Sequence, residues 1–282
     1  MTKLALLHPG QMGISIAASA KNSGCDVHWA SQGRSPQTHE RAAQHDLRDA
    51  HTLAQLCATC SVIVCVCPPH AAKEVAEQVA AHAFTGLYVD ANAISPQRAQ
   101  RIGQIITAGG ATFIDGGIIG GPAWKAGRTW LYLSGPDAQT VADCFSSGPL
   151  ETSVIGQVIG RASALKMCYA AYTKGSTALL CAILATAETL GVREELQTQW
   201  SRGGSDFAEQ TTQRAQRVTA KAWRFAGEMD EISATFSQAG MPGDFHAAAG
   251  VIYRRIAAFK DAPSTPPLED VLAALLQADD ES

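Results

Sequence analysis

Strand and helix patterns alternate regularly over the first part of this sequence, and that alternation limits the folds open to it. Apolar strands are predicted at Lys3–Leu7, Asp26–Ala30, Val62–Cys67, Gly86–Asp90, Thr112–Asp115 and Leu131–Ser134. Helices are predicted between them at Met12–Ser23, 49–59, His70–His82, Pro96–Ala108 and Asp137–Ser146. Strands that alternate with helices form a mostly parallel sheet with helices on both faces. The sequence therefore predicts an α/β fold with an N-terminal doubly wound Rossmann domain at residues 1–157.

Ligands of such sheets bind in the loops that follow the carboxyl ends of the strands. In this sequence the loops are His8–Gly13, Ser31–Ser35, Pro68–His70, Asn92–Pro96 and Gly116–Pro122. We expect the binding residues of the N-terminal domain to lie in these five loops.

A different pattern begins at Arg161. The stretch Arg161–Gly191 has no proline and is apolar on nearly every side, which predicts one long interior helix over Ala162–Leu190. After it the strand patterns vanish, and helices are predicted at Glu194–Trp200, Ser205–Met229 with breaks, Asp230–Ala239, Phe245–Phe259 and Leu268–Ala278, before a frayed acidic tail at 279–282. Residues 158–282 are therefore predicted to form an all-helical domain. Its Ala-rich, two-sided helices predict a homodimer, because they offer more apolar surface than one copy can cover.

Composition excludes several classes of protein. The chain has 282 residues, 46% of them hydrophobic and 17% charged, with a net charge of -4. These values describe an ordinary globular protein and give no electrostatic reason to expect nucleic acid or a membrane surface as a partner. The amino terminus lacks a signal-peptide pattern, and the longest uncharged run of the long helix is too short to cross a bilayer. We expect a cytoplasmic protein with a small-molecule substrate.

The eight cysteines do not predict a metal site. Cys57 and Cys60 form a CxxC pair, and Cys65 and Cys67 follow it, but the downstream ligand pair of a zinc site is missing. Cys65 and Cys67 alternate with valines in a strand pattern, and buried cysteines commonly act as small apolar residues. We therefore expect reduced thiols and no bound metal.

The turn after the first strand is the first candidate binding element. Gly10 and Gly13, with Gln11 and Met12 between them, stand at a helix start, where backbone amides and the helix dipole favour a pyrophosphate. The full dinucleotide fingerprint has glycine also at position 8, where this chain has His8. A tight turn without a ligand remains the alternative.

The loop after the second strand bears on the choice of cofactor. NAD sites usually carry Asp or Glu there, whereas this chain offers Ser31, Arg34 and Ser35. A cation with hydroxyls suits a 2′-phosphate, so NADP is favoured, with a solvated arginine as the alternative. The other predicted cofactor contacts are Cys67, Pro68 and Asn92.

Four motifs in this order resemble the β-hydroxyacid dehydrogenase family, which includes 6-phosphogluconate dehydrogenase and the imine reductases. They are Gly10–Gly13, Asp90–Pro96, Asp115–Pro122 and Lys166 early in the long helix. The resemblance implies a nucleotide-binding domain followed by a helical domain that packs mostly against a second subunit, with the active site between them. It also implies that Lys166 is the general acid/base.

Three departures from the family pattern leave the substrate open. Asn92 and Ile119 stand where the family commonly has serine, and isoleucine cannot hold a carboxylate by a hydrogen bond. Tyr169 stands near the position of the family's asparagine, one turn after Lys166. The further candidate substrate contacts are Gly120, Gly121, Lys174 and His246.

A lysine can manage the proton that accompanies hydride transfer, since it protonates a developing alkoxide or accepts a hydroxyl proton. The leading hypothesis is an NADP-dependent oxidoreductase that acts on a small polar hydroxy acid or carbonyl compound. An imine reductase and a non-catalytic NADP(H)-binding regulator are the alternatives.

Overall fold

The computed structural model of this protein describes residues 1–277. The chain divides into two compact units, Met1–Met167 and a second unit from Cys168 onward. This division falls inside the long helix, further along the chain than the predicted domain boundary after residue 157.

The first unit is built on one eight-stranded sheet. Its strands are β1 (Lys3–Leu6), β2 (Asp26–Trp29), β3 (Arg48–Asp49), β4 (Val62–Cys65), β5 (Leu87–Asp90), β6 (Thr112–Gly120), β7 (Thr129–Ser134) and β8 (Glu151–Val154). Their order is β3-β2-β1-β4-β5-β6-β7-β8, and every pair is parallel except β6 with β7. The predicted doubly wound fold is confirmed.

In the described part of the chain, six α-helices lie between the strands of this sheet. They are α1 (Gln11–Asn22), α2 (Pro36–Gln44), α3 (Leu53–Thr59), α4 (Ala72–Ala81, after a 3-10 turn at Pro69–Ala71), α5 (Pro96–Ala108) and α6 (Ala138–Asp143). The sequence patterns predicted all of these except α2, and they missed strands β3 and β8. Segment α2 is mostly polar and exposed, with Ala42 as its buried residue, and β3 has only two residues, so neither contains an apolar run that would reveal it.

Alternating side chains of the strands divide the core between the two faces of the sheet. Leu4 and Leu6 pack with Val62 and Val64 on one face. On the other face lie Ala5, Leu7, Ile63 and Cys65. Such double-sided burial is typical of parallel strands between two layers of helices, and it places Cys65 inside the core as predicted.

The glycine-rich segment after Asp115 is a strand rather than the predicted loop. Strand β6 continues through Gly120, and its residues pair with β7 in antiparallel register from Asp115–Ser134 to Gly120–Thr129. The prediction of a loop from Gly116 was wrong because these glycines serve close packing: a Cβ on Gly116 would lie 3.0 Å from the Asp90 carbonyl oxygen.

The predicted long helix is present with one irregular turn. Helix α7 (Arg161–Ala170) runs through a π-helical turn (Ala171–Gly175) into α8 (Ser176–Thr189). The prediction of an interior helix was wrong for one set of positions, since large apolar side chains are exposed at Leu165, Tyr169, Tyr172 and Leu179. The buried positions of α7 and α8 are mostly filled by small residues such as alanine, which hid this asymmetry in the sequence.

The second unit is helical throughout its described part. It contains α8, α9 (Arg193–Trp200), α10 (Phe207–Gln238), α11 (Asp244–Arg255) and α12 (Leu268–Leu276), with 3-10 turns at Arg202–Gly204 and Ala257–Asp261. The predicted breaks near Met229 are absent, because α10 continues through Gly227 with Ala222, Ala226 and Met229 on its buried face. The predicted end of the last helix at Ala278 and the acidic tail lie outside the described residues.

Within residues 1–277, every helix is either too short or too polar to be a candidate membrane span.

Candidate functional site

The turn between β1 and α1 has the geometry of an anion-binding turn. Gly10 precedes the first helical residue in an extended conformation, and among the described residues no side chain caps the helix. A Cβ on Gly13 would lie 2.2 Å from the carbonyl oxygen of His8, so the tight turn requires glycine there. A Cβ on Gly10 would meet nothing within 4 Å. The first amides of α1 therefore stand ready for a negatively charged group.

The turn is tied to the segment that follows β6. The Ser15 hydroxyl donates to the carbonyl oxygen of Met12 at 2.7 Å and accepts the backbone amide of Ala123 at 2.8 Å. Gln11 is exposed and Met12 is half-buried. The predicted substrate segment around Gly120 and Gly121 is thereby held next to the predicted cofactor turn.

The loop after β2 places Arg34 half-buried between two exposed or partly exposed serines. Its backbone amide donates to Ser31 at 3.1 Å, and Ser35 precedes the first residue of α2 with its hydroxyl 3.1 Å from that of Thr38. Burial lowers the pKa of Arg34, while the nearby thiols of Cys65 and Cys67 act in the opposite direction. The guanidinium group therefore lies on the side of the loop that faces the end of β4.

One carboxylate lies close to this loop, contributed by β3. Burial of Asp49 would raise its pKa, but hydrogen bonds from His51 and Ser31 outweigh that effect, and the pKa is lowered. The Ser31 hydroxyl is thus engaged by an acidic residue that the sequence analysis did not consider.

Asn92 connects the ends of β4 and β5. Its side-chain oxygen accepts the backbone amide of Cys67 at 2.5 Å, and its amide nitrogen lies 3.5 Å from the sulfur of Cys65. Its own backbone amide donates to the Asp90 carboxylate at 3.0 Å. Asn92 is 2% exposed, whereas Pro68 is exposed. Asparagine at this position therefore holds the loop after β4 in place.

The thiols of Cys65 and Cys67 form a close pair, with their sulfurs 3.7 Å apart. The hydrogen bond with Cys67, and to a smaller extent one with His8, lowers the pKa of the Cys65 thiol, although burial opposes this. The same hydrogen bond, together with burial, raises the pKa of Cys67. Cys57 lies in α3 and Cys60 directly follows that helix, and burial raises their pKa values to about 11 and about 12.

Asp115 anchors the helix that carries Lys166. Its carboxylate accepts the backbone amides of Gly160 at 2.9 Å and Ser163 at 3.0 Å, as well as the hydroxyls of Ser163 and Ser134. The Ser134 hydroxyl in turn accepts the amide of Ala162 at 3.1 Å. Burial raises the pKa of Asp115, and these hydrogen bonds lower it in part. The amides at the start of α7 are therefore satisfied by side chains of the sheet.

Lys166 lies over the glycine at position 117. A Cβ on Gly117 would come within 2.5 Å of the Ala162 carbonyl oxygen and 3.1 Å of the Lys166 Cβ, so α7 packs directly on β6. Asp115, Gly117 and Ile119 share this face of the strand because they alternate along it. Ile119 is buried, Gly120 is exposed with φ of +124°, and Lys166 itself is half-buried.

The three remaining predicted residues belong to the second unit. Tyr169 is 49% exposed. Lys174 forms an ion pair with Glu228 and lies 4.5 Å from the ring centre of Phe225. His246 is buried against the ring of Phe236, with ring centres 4.3 Å apart, and burial lowers its pKa.

Sequence reasoning missed the supporting residues Ser134, Ser163 and Asp49, and it gave Asp115 no role of its own. The one sequence feature that marks Asp115 is its place at the end of a predicted strand, directly before two glycines. The backbone amides that donate to its carboxylate lie 45 and 48 positions further along the chain. Contacts at such separations cannot be inferred from one sequence without the topology.

Two family models match this chain. The NAD binding domain of 6-phosphogluconate dehydrogenase matches residues 3–145, which is about half of the chain. A domain of unknown function matches residues 187–256.

One curated relative is an uncharacterized 28.5 kDa protein of Methanothermus fervidus, 30% identical over 173 residues. The match covers 61% of this chain and 65% of that protein, so it spans less than two thirds of the relative.

Several solved structures share the fold. A conserved protein of unknown function that resembles 3-hydroxyacid dehydrogenases is 26% identical, with a TM-score of 0.67. The match covers 92% of this chain and 100% of that one. The 3-hydroxyisobutyrate dehydrogenase of Mycobacterium tuberculosis, determined with L-serine, is 18% identical with a TM-score of 0.70, over 98% of this chain and 100% of that one. A variant imine reductase of Myxococcus stipitatus in complex with NAD+ is 18% identical with a TM-score of 0.57, over the same shares.

The glycine turn, the mostly parallel sheet and the helical region after it agree with these matches. The chain belongs to the 6-phosphogluconate dehydrogenase-like family of β-hydroxyacid dehydrogenases.

Proposed function

We propose that this protein is an NADP-dependent oxidoreductase that transfers a hydride between nicotinamide and a small polar carbonyl or hydroxy compound, with Lys166 as general acid/base. The observation that carries the proposal is the fixed start of α7: Asp115 accepts the first amides of the helix, and Lys166 lies over Gly117 one turn later. A proton donor is effective only when it is held in a fixed position relative to the reacting atom. The hydrogen bonds to Asp115 fix the helix that carries Lys166.

The residues of the β1–α1 turn fit a dinucleotide. The first amides of α1 have no side-chain cap among the described residues, and Gly10 leaves room for close approach. When bound, the nicotinamide group accepts or donates the hydride. The chain's part is to hold the pyrophosphate at the helix start and to supply a proton to the substrate oxygen from the Lys166 ammonium group, which becomes the neutral amine.

Preference for NADP is supported by the loop after β2. Arg34 is the cation of this loop, and its Nε atom is buried without a hydrogen-bond partner in the described chain. A 2′-phosphate would supply acceptor oxygens for such a guanidinium group. Asp49, which engages Ser31, would repel a phosphate placed beside that hydroxyl, so we assign the main contact to Arg34.

Reduction of imines is the second candidate, and Ile119 is the observation that favours it. This side chain is buried on the face of β6 that also carries Gly117, and it cannot donate a hydrogen bond to a carboxylate. An electrophile without a carboxylate would suit such a surface better than a hydroxy acid.

We also propose that the protein is a homodimer through its helical region. Leu165, Tyr169, Tyr172 and Leu179 expose apolar side chains at intervals of three, four or seven positions on one helix. Such spacing is typical of a helix face that packs against another surface. Light scattering that shows a monodisperse monomer at micromolar concentration would refute this proposal.

The proposed activity is tested by a screen of aldehydes, keto acids and cyclic imines with NADPH and NADH. We expect turnover with NADPH that is abolished in Lys166→Met, with cofactor affinity retained. Lys73→Met, which changes an exposed lysine of α4, is the matched control and should keep full activity. In the same assay Arg34→Gln should weaken NADPH binding about tenfold and leave NADH unchanged, since one charge-assisted contact is lost. Tight NADPH binding without turnover on the whole panel would instead identify a regulator.

A further inference from the structure

Three soft ligand atoms meet at the start of the nucleotide-binding turn. His8 follows β1, and Cys65 and Cys67 end or follow β4, which is the neighbour of β1 in the sheet, with Leu6 paired to Val64. One ligand atom from each of the three side chains lies within 4.8 Å of the other two. Within residues 1–277 no other three His, Cys, Asp or Glu side chains are gathered as a potential metal-binding group.

The spacing of these atoms matches a tetrahedral thiolate site. Two bonds from zinc to sulfur of about 2.3 Å, set at the tetrahedral angle, place the sulfurs about 3.8 Å apart. The sulfurs of Cys65 and Cys67 are 3.7 Å apart. The sheet therefore already holds the two thiols at the separation that a bound ion would require.

The surroundings of the cluster are also those of a ligand set. The Nδ1 atom of His8 is buried and has no hydrogen-bond partner in the described chain. The amide nitrogen of Asn92 points at the sulfur of Cys65 from 3.5 Å, a contact of the kind that orients ligating groups. Core packing explains the burial of Cys65, but it does not explain a histidine placed against two thiols in the position of a fingerprint glycine.

We propose that His8, Cys65 and Cys67 bind one thiophilic divalent cation of the zinc class, with a fourth position open to water or an external ligand. Two thiolates and one imidazole form a ligand set that zinc accepts in proteins. The two thiol protons are released to solvent on binding, and the two negative sulfurs then balance the charge of the ion. This balance suits a partly buried site.

No metal was expected from the sequence, because the downstream ligand pair of a zinc site is missing and Cys65 and Cys67 lie in a strand pattern. The structure adds to these two cysteines a histidine from a different strand end. The inference is independent of the proposed oxidoreductase activity, since its test measures metal binding alone.

The test is a titration of reduced, metal-free protein with Cd²⁺ while the sulfur-to-cadmium charge-transfer absorption is recorded. We expect saturation at one ion per chain and loss of the band when Zn²⁺ competes. Removal of an outer partner of a metal ligand typically costs about 10–100-fold in affinity, so loss of a ligand should cost at least as much. Cys67→Ala and His8→Gly should both show this loss, and circular dichroism confirms that each is folded.

The control is the double variant Cys57→Ala and Cys60→Ala, which removes both sulfurs of the CxxC pair and leaves the three proposed ligands in place. It should keep the band and the affinity of the wild type. The proposal is overturned if wild-type protein shows no charge-transfer band, if the band persists unchanged in the folded Cys67→Ala or His8→Gly variants, or if the control loses it.

Discussion

Asp115 on β6 accepts two hydrogen bonds from Ser163 in the first turn of α7, one from the hydroxyl and one from the backbone amide. A side chain of the sheet thus does for this helix what a capping residue does elsewhere, although it lies 48 positions away in the chain. Because Lys166 follows Ser163 by three residues in the same helix, the same contact fixes the backbone position from which the Lys166 side chain extends.

Replacement of this carboxylate is expected to loosen the helix start. Asp115→Asn keeps the shape but removes the negative charge and replaces one carboxylate oxygen by an NH₂ group that cannot accept a hydrogen bond. Either the oxygen shared by the amides of Gly160 and Ser163 or the oxygen that accepts the Ser163 hydroxyl is then lost. We expect the free energy of unfolding in urea at pH 7 to fall by about 1.5–3 kcal/mol, the usual range for hydrogen bonds to a charged group. Asp143→Asn, on an exposed part of α6, should leave it unchanged. Equal stability of both variants and wild type would show that the cap is dispensable.

Close packing of α7 on β6 gives a second prediction. In Gly117→Ala the new methyl group would lie 2.5 Å from the Ala162 carbonyl oxygen, so the helix must move away from the strand. We expect a loss of about 1–3 kcal/mol in the free energy of unfolding, as for other overpacked sites. The thermal unfolding midpoint measures it.

The nearby Gly121→Ala is the matched control for stability, since a methyl group there would meet nothing within 4 Å. A midpoint for Gly117→Ala that equals that of Gly121→Ala would contradict the packing described for α7.

The sequence predicted most of the sheet because parallel strands buried on both faces leave uninterrupted apolar runs, as at Val62–Cys65. Helix α5 was predicted from Pro96, which marks its first turn, to about Ala108, where the helix ends. Elements α2 and β3 were missed because they contain too few apolar residues to show a pattern.

The candidate site was predictable only in part. Gly10 and Gly13 lie in one turn, so their spacing along the sequence is enough to predict the anion-binding turn. The anchorage of Lys166 depends instead on Asp115, and the cluster of His8 with Cys65 depends on the adjacency of β1 and β4. Such contacts are fixed by topology and have no signature in the spacing of residues along the chain.

A pH dependence of stability is expected from His246. Burial lowers its pKa below the ordinary value of 6.5, so the unfolded chain takes up this proton at a higher pH than the folded chain does. The stability that His246 contributes is therefore present above about pH 6.5 and is lost as the pH falls through that value toward the folded pKa. Each pKa unit of difference between the folded and the unfolded chain lowers the free energy of unfolding by about 1.4 kcal/mol at acid pH.

Urea unfolding at several pH values between 5 and 8, roughly the range in which histidine titrates, measures this effect. In His246→Gln the decline toward acid pH should be smaller than in wild type, whereas His82→Gln, at an exposed position, should keep the full decline. Identical pH profiles for wild type and His246→Gln would show that this histidine does not titrate differently on folding.

Substitutions of the two glycines in the β1–α1 turn are expected to have different effects. In Gly13→Ala the methyl group would lie 2.2 Å from the His8 carbonyl oxygen, so the turn must deform and stability should fall by about 1–3 kcal/mol. In Gly10→Ala the methyl group meets no protein atom within 4 Å, so the fold should keep its stability while the space for a pyrophosphate is filled. Calorimetric titration with NADPH, alongside thermal unfolding, separates the two: Gly10→Ala should lose at least about tenfold in affinity, equivalent to 1.4 kcal/mol, at an unchanged unfolding midpoint. A Gly10→Ala variant that binds NADPH like wild type would mean that the dinucleotide does not approach this turn, and the assignment of the cofactor site would be wrong.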